Sequence, residues 1–314
     1  MRARKLIFTM LLLSIPMSPA AGSDVLTMRI LYAPAPFNVP HMILRQQGIL
    51  EREFKPYGWK VAWLSKPLAE PLAARALSAR ELDIAIVSDC AAVIARAGGN
   101  DMVLFKPYSE APKAYAIVVP AKAEVRNVKA LAGKKIGLPV GTAAQYLLAR
   151  ALSAEGLSLA KLTVVNKTYA EALAALSRGE LQAAVLAEPF LSRAVTGGKA
   201  RILRDGEGLI EGKAVVVIRR QFLENEEIMD RYGELMAQTL EYMARNPAEV
   251  AKIAARETGL PIDTARAVMA KHRFTALSSA KMLDDLVAVS ENLAAQGIIK
   301  KPLTVKDLAG CDCD

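Results

Sequence analysis

Histidine and cysteine are scarce in this chain, with 2 His and 3 Cys among 314 residues. His41 and His272 stand far apart and make no H-E-x-x-H pair, and no P-loop, G-x-S-x-G or G-x-G-x-x-G fingerprint occurs, so a catalytic zinc and a nucleotide cradle are both disfavoured. An odd number of cysteines cannot all pair within one molecule. Cys90 stands alone, while Cys311 and Cys313 sit in the terminal run Gly310-Cys311-Asp312-Cys313-Asp314 without a second ligand pair, so neither metal nor cofactor is expected. Aromatic residues make up only 5%, and Lys and Arg are scattered beside Glu and Asp; the basic, aromatic-interleaved face of a nucleic-acid binder is missing. With 16 Pro and 19 Gly against 53% hydrophobic and 23% charged residues, collagen, low-complexity and disordered chains are excluded, leaving a globular protein. No apolar run approaches the ~20 residues a membrane-spanning helix needs.

What is present begins with a polarised amino terminus. Arg2, Arg4 and Lys5 precede an apolar run over residues 6–15, followed by Pro16, Pro19 and the small residues Ala20, Ala21, Gly22 and Ser23. This reads as a secretory signal peptide over residues 1–22, cleaved near Ala20 to Gly22, so that the mature chain is expected to be exported and released. Loss of the three leader cations lowers the formal charge from +9 to +6, a mild excess that helps anions approach and decides little else.

Strand-like and helical patterns then alternate. Residues 28–32 and 60–64 read as strands, residues 84–87 (Ile-Ala-Ile-Val) as a fully buried strand, and residues 39–50, 68–79 and 89–97 as helices, with Asp89 placed to cap the last. A second series opens at residues 134–138 and runs through helices at 143–154, 169–177 and 189–195 and strands at 162–165, 183–186 and 200–203. Everything after Gln221 reads as helix. Alternation of this kind predicts an α/β protein with mostly parallel sheets. Extended segments at residues 115–119 and 214–218 predict two lobes joined by two crossing strands, with lobe 1 over residues 23–116, lobe 2 over 117–215, and a mostly helical return to lobe 1 over 216–314. The apolar stripe Ile228, Met229, Tyr232, Leu235, Met236, Leu240 and Met243 recurs at helical spacing and is expected to face the core.

Ligands of open α/β sheets collect beyond the carboxyl ends of strands, where helix starts present free N–H groups. Among such turns, Gly141, Thr142 and Ala143 suit an anion: Gly admits close approach and Thr142 brings a capping hydroxyl. Ser88 and Asp89 follow the buried strand at 84–87, and Asp89 and Glu188 could accept hydrogen bonds from a ligand amine or cationic ring. No constellation nominates a nucleophile, so the chain is not expected to be an enzyme, although Asp89, Glu188 or His41 acting as acid or base is the catalytic alternative.

Several short pieces in fixed order resemble one family. They are Gln47-Gly48-Ile49-Leu50-Glu51 after the first helix, Ala76-Leu77-Ser78 with Glu81-Leu82-Asp83-Ile84-Ala85, the run Leu131-Ala132-Gly133-Lys134-Lys135-Ile136-Gly137, the stretch at residues 172–184, and Glu188-Pro189. Together they are similar to periplasmic solute-binding proteins of ABC importers, in the nitrate/sulfonate/taurine group that includes thiamine-pyrimidine binders. The resemblance implies a two-lobe clamshell of the type II periplasmic-binding-protein fold, closing by a hinge on a small ligand and docking as a monomer on a membrane permease, with no cofactor. It also implies ligand contacts at Pro36, Phe37, Asn38, Ser88, Asp89, Gly141, Thr142, Ala143 and Glu188; Asn38 and His41 further resemble the P-N-x-x-H turn of the thiamine-pyrimidine branch. Two positions depart from the family: Ala187 stands where an aromatic residue is common, and Ser65-Lys66-Pro67 lacks the glycines of sulfonate binders. The expected function is capture of a small organic anion or zwitterion for import. The alternatives are a ligand sensor of the same fold and a binder of a thiamine pyrimidine or aromatic carboxylate.

Overall fold

The computed structural model describes residues 26–65, 70–275 and 279–309; the expected signal peptide and the tail bearing Cys311 and Cys313 lie outside them. The chain opens β1 (Leu26–Leu31), α1 (Val39–Gln46), α2 (Ile49–Phe54), β2 (Trp59–Leu64), α3 (Glu70–Ser78), β3 (Ile84–Ser88), α4 (Asp89–Ala97) and β4 (Met102–Glu110). It then crosses to β5 (Tyr115–Pro120), β6 (Lys135–Leu138), α5 (Ala143–Ser153), β7 (Thr163–Asn166), α6 (Tyr169–Ser177), β8 (Ala183–Ala187), α7 (Phe190–Thr196) and β9 (Ala200–Asp205). It crosses back to β10 (Lys213–Arg219) and ends in α8 (Glu226–Arg245), α9 (Pro247–Thr258), α10 (Ile262–Met269), β11 (Arg273–Phe274), α11 (Ser279–Ala295) and α12 (Val305–Ala309).

The strands form two sheets, one ordered β11-β4-β10-β3-β1-β2 and the other β7-β6-β8-β5-β9, each the floor of one lobe. The mostly parallel expectation needs correction. Parallel pairing joins β1 to β2 and β3, and β6 to β7 and β8, whereas β4, β5, β9, β10 and β11 enter antiparallel. Strands β5 and β10 arrive from the other lobe and so run against their neighbours, a direction that local sequence pattern does not encode.

The same topology revises the crossing segments. Residues 115–119 and 214–218 are sheet strands, and the connections proper are residues 111–114 and 206–212, which lie side by side: Ala111 N–H donates to the carbonyls of Glu211 (3.2 Å) and Gly212 (3.1 Å). Gly206 N–H donates to the Tyr115 carbonyl at 3.1 Å, and a Cβ at Gly206 would stand 2.4 Å from the Pro112 carbonyl oxygen, so only glycine lets the two connections touch.

Burial explains the central strands. Every residue of β3 and of β8 is buried, which is why their sequences are continuous apolar runs rather than alternating ones. Beside β3, the fully buried Asp83 accepts the Arg29 Nε–H (3.0 Å) and the Arg219 Nη2–H (2.8 Å), clamping β1 and β10 to the start of the same strand. The helix expected from Val39 and ending near Gly48 does end there: α1 stops at Gln46, and Gly48 adopts a left-handed conformation before a separate short helix, α2. The stripe on α8 faces the core as expected: Ile228, Met229, Tyr232, Leu235 and Met236 pack on β1, β3 and β10, and Met243 joins Val39, Met42 and Ile43 of α1. Burial of this kind contributes roughly 1.5–3 kcal/mol per large side chain.

Candidate functional site

The strand-to-helix turns at Ser88 of the first lobe and Gly141 of the second both approach the start of α3, through Glu70 and Pro71 respectively. On the first lobe, β3 ends in Ser88, which rather than Asp89 is the cap of α4: its Oγ accepts the Ala91 N–H at 3.4 Å. Asp89 occupies the first helical position, where its Oδ1 accepts the Cys90 N–H (2.7 Å) and its Oδ2 the Lys213 N–H (3.3 Å), tying α4 to the start of β10. Burial pushes the Asp89 carboxyl up to about 6, against the pull of these donors and of the Lys213 charge. Burial, with Asp89 and Glu70 nearby, also pushes the Cys90 thiol well above its usual value, so this cysteine is held as a neutral thiol.

On the second lobe, β6 leads through Pro139 and Val140 to Gly141, whose φ of +80° only glycine adopts without strain. Thr142 caps α5, its Oγ1 accepting the Ala144 N–H (3.2 Å) and donating to the Pro139 carbonyl (2.8 Å), as the sequence suggested. The Gly141 N–H donates to Gln145 Oε1 at 2.8 Å. A Cβ at Gly141 would lie 3.1 Å from Pro71 Cγ of α3, which places this turn against the first lobe. Tyr169, the first residue of α6, stacks on Phe190 of α7, with ring centroids 6.2 Å apart.

A residue that the sequence reading passed over sits between these turns. The Glu70 carboxylate accepts the Ser88 N–H on Oε1 (2.6 Å) and the Ser88 hydroxyl on Oε2 (3.0 Å), and burial pushes it up to about 7. An acid in the first turn of a helix reads as a favourable charge at the helix start, and nothing local ties it to a strand end 18 residues away.

The remaining expected positions divide. Pro36, Phe37 and Asn38 form a short turn before α1 that is tied to the first-lobe sheet through Tyr108 of β4, whose hydroxyl donates to the Phe37 carbonyl at 2.7 Å. Asn38 is 1% exposed; its Nδ2 donates to the Ala33 carbonyl (2.9 Å), and its Oδ1 has no partner among the described residues. His41 is fully enclosed in the first lobe, edge-on to Trp63 and with Nε2 at 2.7 Å from the Tyr232 hydroxyl; burial pulls it down to about 3, so it is neutral. Ala143 is buried beneath the α5 start.

Glu188 lies at the hinge edge, its N–H donating to the Ala114 carbonyl at 3.0 Å. Its carboxylate accepts the Ser192 N–H (3.1 Å) and Oγ–H (3.0 Å) and pairs with Lys271 Nζ at 2.5 Å. That pair joins the lobes, as do Arg193 to the Thr258 carbonyl (2.5 Å) and Arg150 to Asn292 (2.7 Å). Behind the crossing segments a cavity of about 550 Å³ is lined by Asp89, Tyr146, Arg150, Glu110, Lys213 and Asp285. There Lys213, 2% exposed, is held by Asp285 at 2.6 Å. Among the described residues no group of His, Cys, Asp and Glu has the arrangement of a metal site, and no helix is long and apolar enough to cross a membrane.

Comparison with known proteins follows this geometry. Residues 54–255 match the family described as NMT1/THI5 like. The Escherichia coli (strain K12) protein named for binding aliphatic sulfonates is 28% identical over 205 residues, 65% of this chain and 63% of that protein. The Bacillus subtilis (strain 168) protein of the same name is 29% identical over 186 residues, 59% of this chain and 56% of that one. The aligned stretches thus span less than two thirds of these relatives' own length. The structure of the alkanesulfonate-binding protein SsuA from Xanthomonas axonopodis pv. citri bound to MOPS superposes with a TM-score of 0.81 at 28% identity, covering 89% of this chain and 96% of that one.

Proposed function

Because the chain belongs to the NMT1/THI5-like family, we propose that it is the extracytoplasmic substrate-binding component of an ABC importer, taking a small organic anion of the sulfonate class into the interlobe cleft and delivering it to a membrane permease. The observation that carries this reading is the convergence of two capped helix starts, Ser88 at α4 and Gly141 with Thr142 at α5, on the start of α3 from opposite lobes. Helix starts aim N–H groups and partial positive charge at an anion, and contacts split between lobes couple binding to closure. Likeness over 96% of an alkanesulfonate-binding protein supports the ligand class, and a leader over residues 1–22 supports export to the periplasm. Within the cleft, Ser88, Asp89, Gly141 and Thr142 are the contacts, approached by the turn Pro36–Asn38; His41 braces that turn from within the core, and Glu188 acts through Lys271 as an interlobe tie. A binding role fits the enclosure of His41 in the first-lobe core and of the Cys90 thiol behind the α4 start, both held neutral.

The test is thermal unfolding of leader-free protein, stripped of ligand by unfolding, dialysis and refolding, against alkanesulfonates, taurine, nitrate, aromatic carboxylates and thiamine pyrimidines. A true ligand at 100 times its dissociation constant stabilises by about 2.7 kcal/mol. Stabilisation by sulfonates is the expected result; stabilisation by another class alone would reassign the ligand.

A further inference from the structure

Glu70 makes the contacts that a bound oxoanion would be expected to make. Its two carboxylate oxygens take the backbone N–H and the hydroxyl of Ser88, the cap of α4, at 2.6 and 3.0 Å. A two-oxygen acceptor on an N–H and a hydroxyl at a helix start is how sulfate, phosphate or carboxylate is commonly held. The following residue, Pro71, is the part of the first lobe that stands against Gly141 of the second. Among the described residues, the titratable groups near the Glu70 carboxylate are Asp89 and Cys90 of α4, Tyr108 of β4, Tyr115 of β5 and Tyr169 of α6, none of them a cation. The carboxylate is therefore held at Ser88 by hydrogen bonds, with no counter-ion among these neighbours and with Asp89 repelling it.

We propose that Glu70 is an internal counter-ligand: its carboxylate fills the oxoanion position at Ser88, and an external anion binds by displacing it, so that Glu70 lowers the affinity of the cleft for every anion that takes this position. This rests on the reading of the cleft as an organic-anion site and deepens it. A tethered carboxylate is present at high effective concentration. Every external anion displaces the same carboxylate, so the affinity of each is reduced by the same factor.

Calorimetric titration of the stripped full mature chain with ethanesulfonate, propionate and taurine, on wild type, Glu70→Ala and Glu70→Gln, tests this. Emptying the position with Glu70→Ala is expected to raise the ethanesulfonate and propionate affinities by the same factor, at least tenfold. Glu70→Gln, which keeps the shape and loses the charge, gives a smaller gain in the same direction. Circular dichroism identical to wild type confirms the fold. If wild type binds ethanesulfonate and neither variant binds it more tightly, the counter-ligand is overturned and the anion reading stands. If the variants lose taurine alone, Glu70 is a contact for the ligand ammonium and the proposal is likewise overturned. If no variant and no wild-type protein binds any of the three, the anion reading itself falls and this inference with it.

Discussion

The two helix starts that approach α3 from opposite lobes are alike in capping and unlike in what satisfies them. At Gly141 the turn N–H is taken by Gln145, a neutral side chain four residues along the same helix. At Ser88 the N–H is taken by Glu70, a charged side chain from another helix, 18 residues away. A local neutral partner is entropically cheap, moves with its helix and answers to nothing outside it. A remote charged partner is exchangeable and sensitive to pH, so the two halves of the proposed site differ in how readily they can be emptied.

The largest expected break of this comparison is Gly141→Leu. Leucine at φ +80° is strained by roughly 1–2 kcal/mol, and its side chain enters the space before Pro71; ligand affinity should fall at least a hundredfold with circular dichroism unchanged. Unchanged affinity in a calorimetric titration would remove the second-lobe turn from the site.

Next comes Lys271→Met, which strands the Glu188 carboxylate, 5% exposed, between the lobes. Removing one partner of a buried pair commonly costs about 3–5 kcal/mol, discounted here because the Lys271 side chain is 27% exposed. Closure should weaken, with affinity down roughly tenfold and a larger radius of gyration by small-angle scattering; an unchanged radius with unchanged affinity would show that the tie does not govern closure.

Glu70→Gln sharpens the contrast through pH. A folded carboxyl held at about 7, above its ordinary value, means that the folded state binds more protons than the unfolded one between those values. The wild-type penalty for that group is therefore absent in acid and fully present above pH 7. Glu70→Gln should raise stability by ~1–3 kcal/mol at pH 8 and by little at pH 4, read by chemical denaturation at both. The difference between variants is the measurement to use, because buried His41 and His272, both pulled down to about 3, destabilise the fold as pH drops below the ordinary histidine value and mask the trend in wild type alone. An advantage that is equal at both pH values would place the Glu70 carboxyl at an ordinary pKa.

The smallest effect belongs to Gln145→Ala. Freeing one Gly141 N–H costs about 0.5–1.5 kcal/mol at most, and water or ligand can replace the lost acceptor. Affinity should change less than threefold; a large loss would make Gln145 a ligand contact.

Much of this was legible in the sequence for a physical reason: burial on both faces writes itself as an apolar run, so β3 and β8 were plain, and Thr142 announced its helix as capping residues do. Strand direction was not, because antiparallel β5 and β10 have the same composition as parallel neighbours. Pairings between distant residues were equally hidden. Glu70 with Ser88, and Lys271 with Glu188 across 83 residues, are set by which helix ends meet after folding. Those pairings carry the site's electrostatics, so the scaffold could be read further than its chemistry.

The antiparallel entry of β10 has a consequence for assembly in time. The sheet of the second lobe draws all its strands from one continuous stretch, β5 to β9, and can close on itself as soon as that stretch is free. The first lobe cannot: β3 waits with an open edge until β10, whose Val217 pairs with Ala85, has followed the entire second lobe out of the exit channel. Until then the apolar run of β3, residues 84–87, offers an unpaired template to any passing strand. The inserted lobe is thus also a delay line, and the interval it imposes is the window in which a newly exported chain is most open to aggregation and most in need of a chaperone.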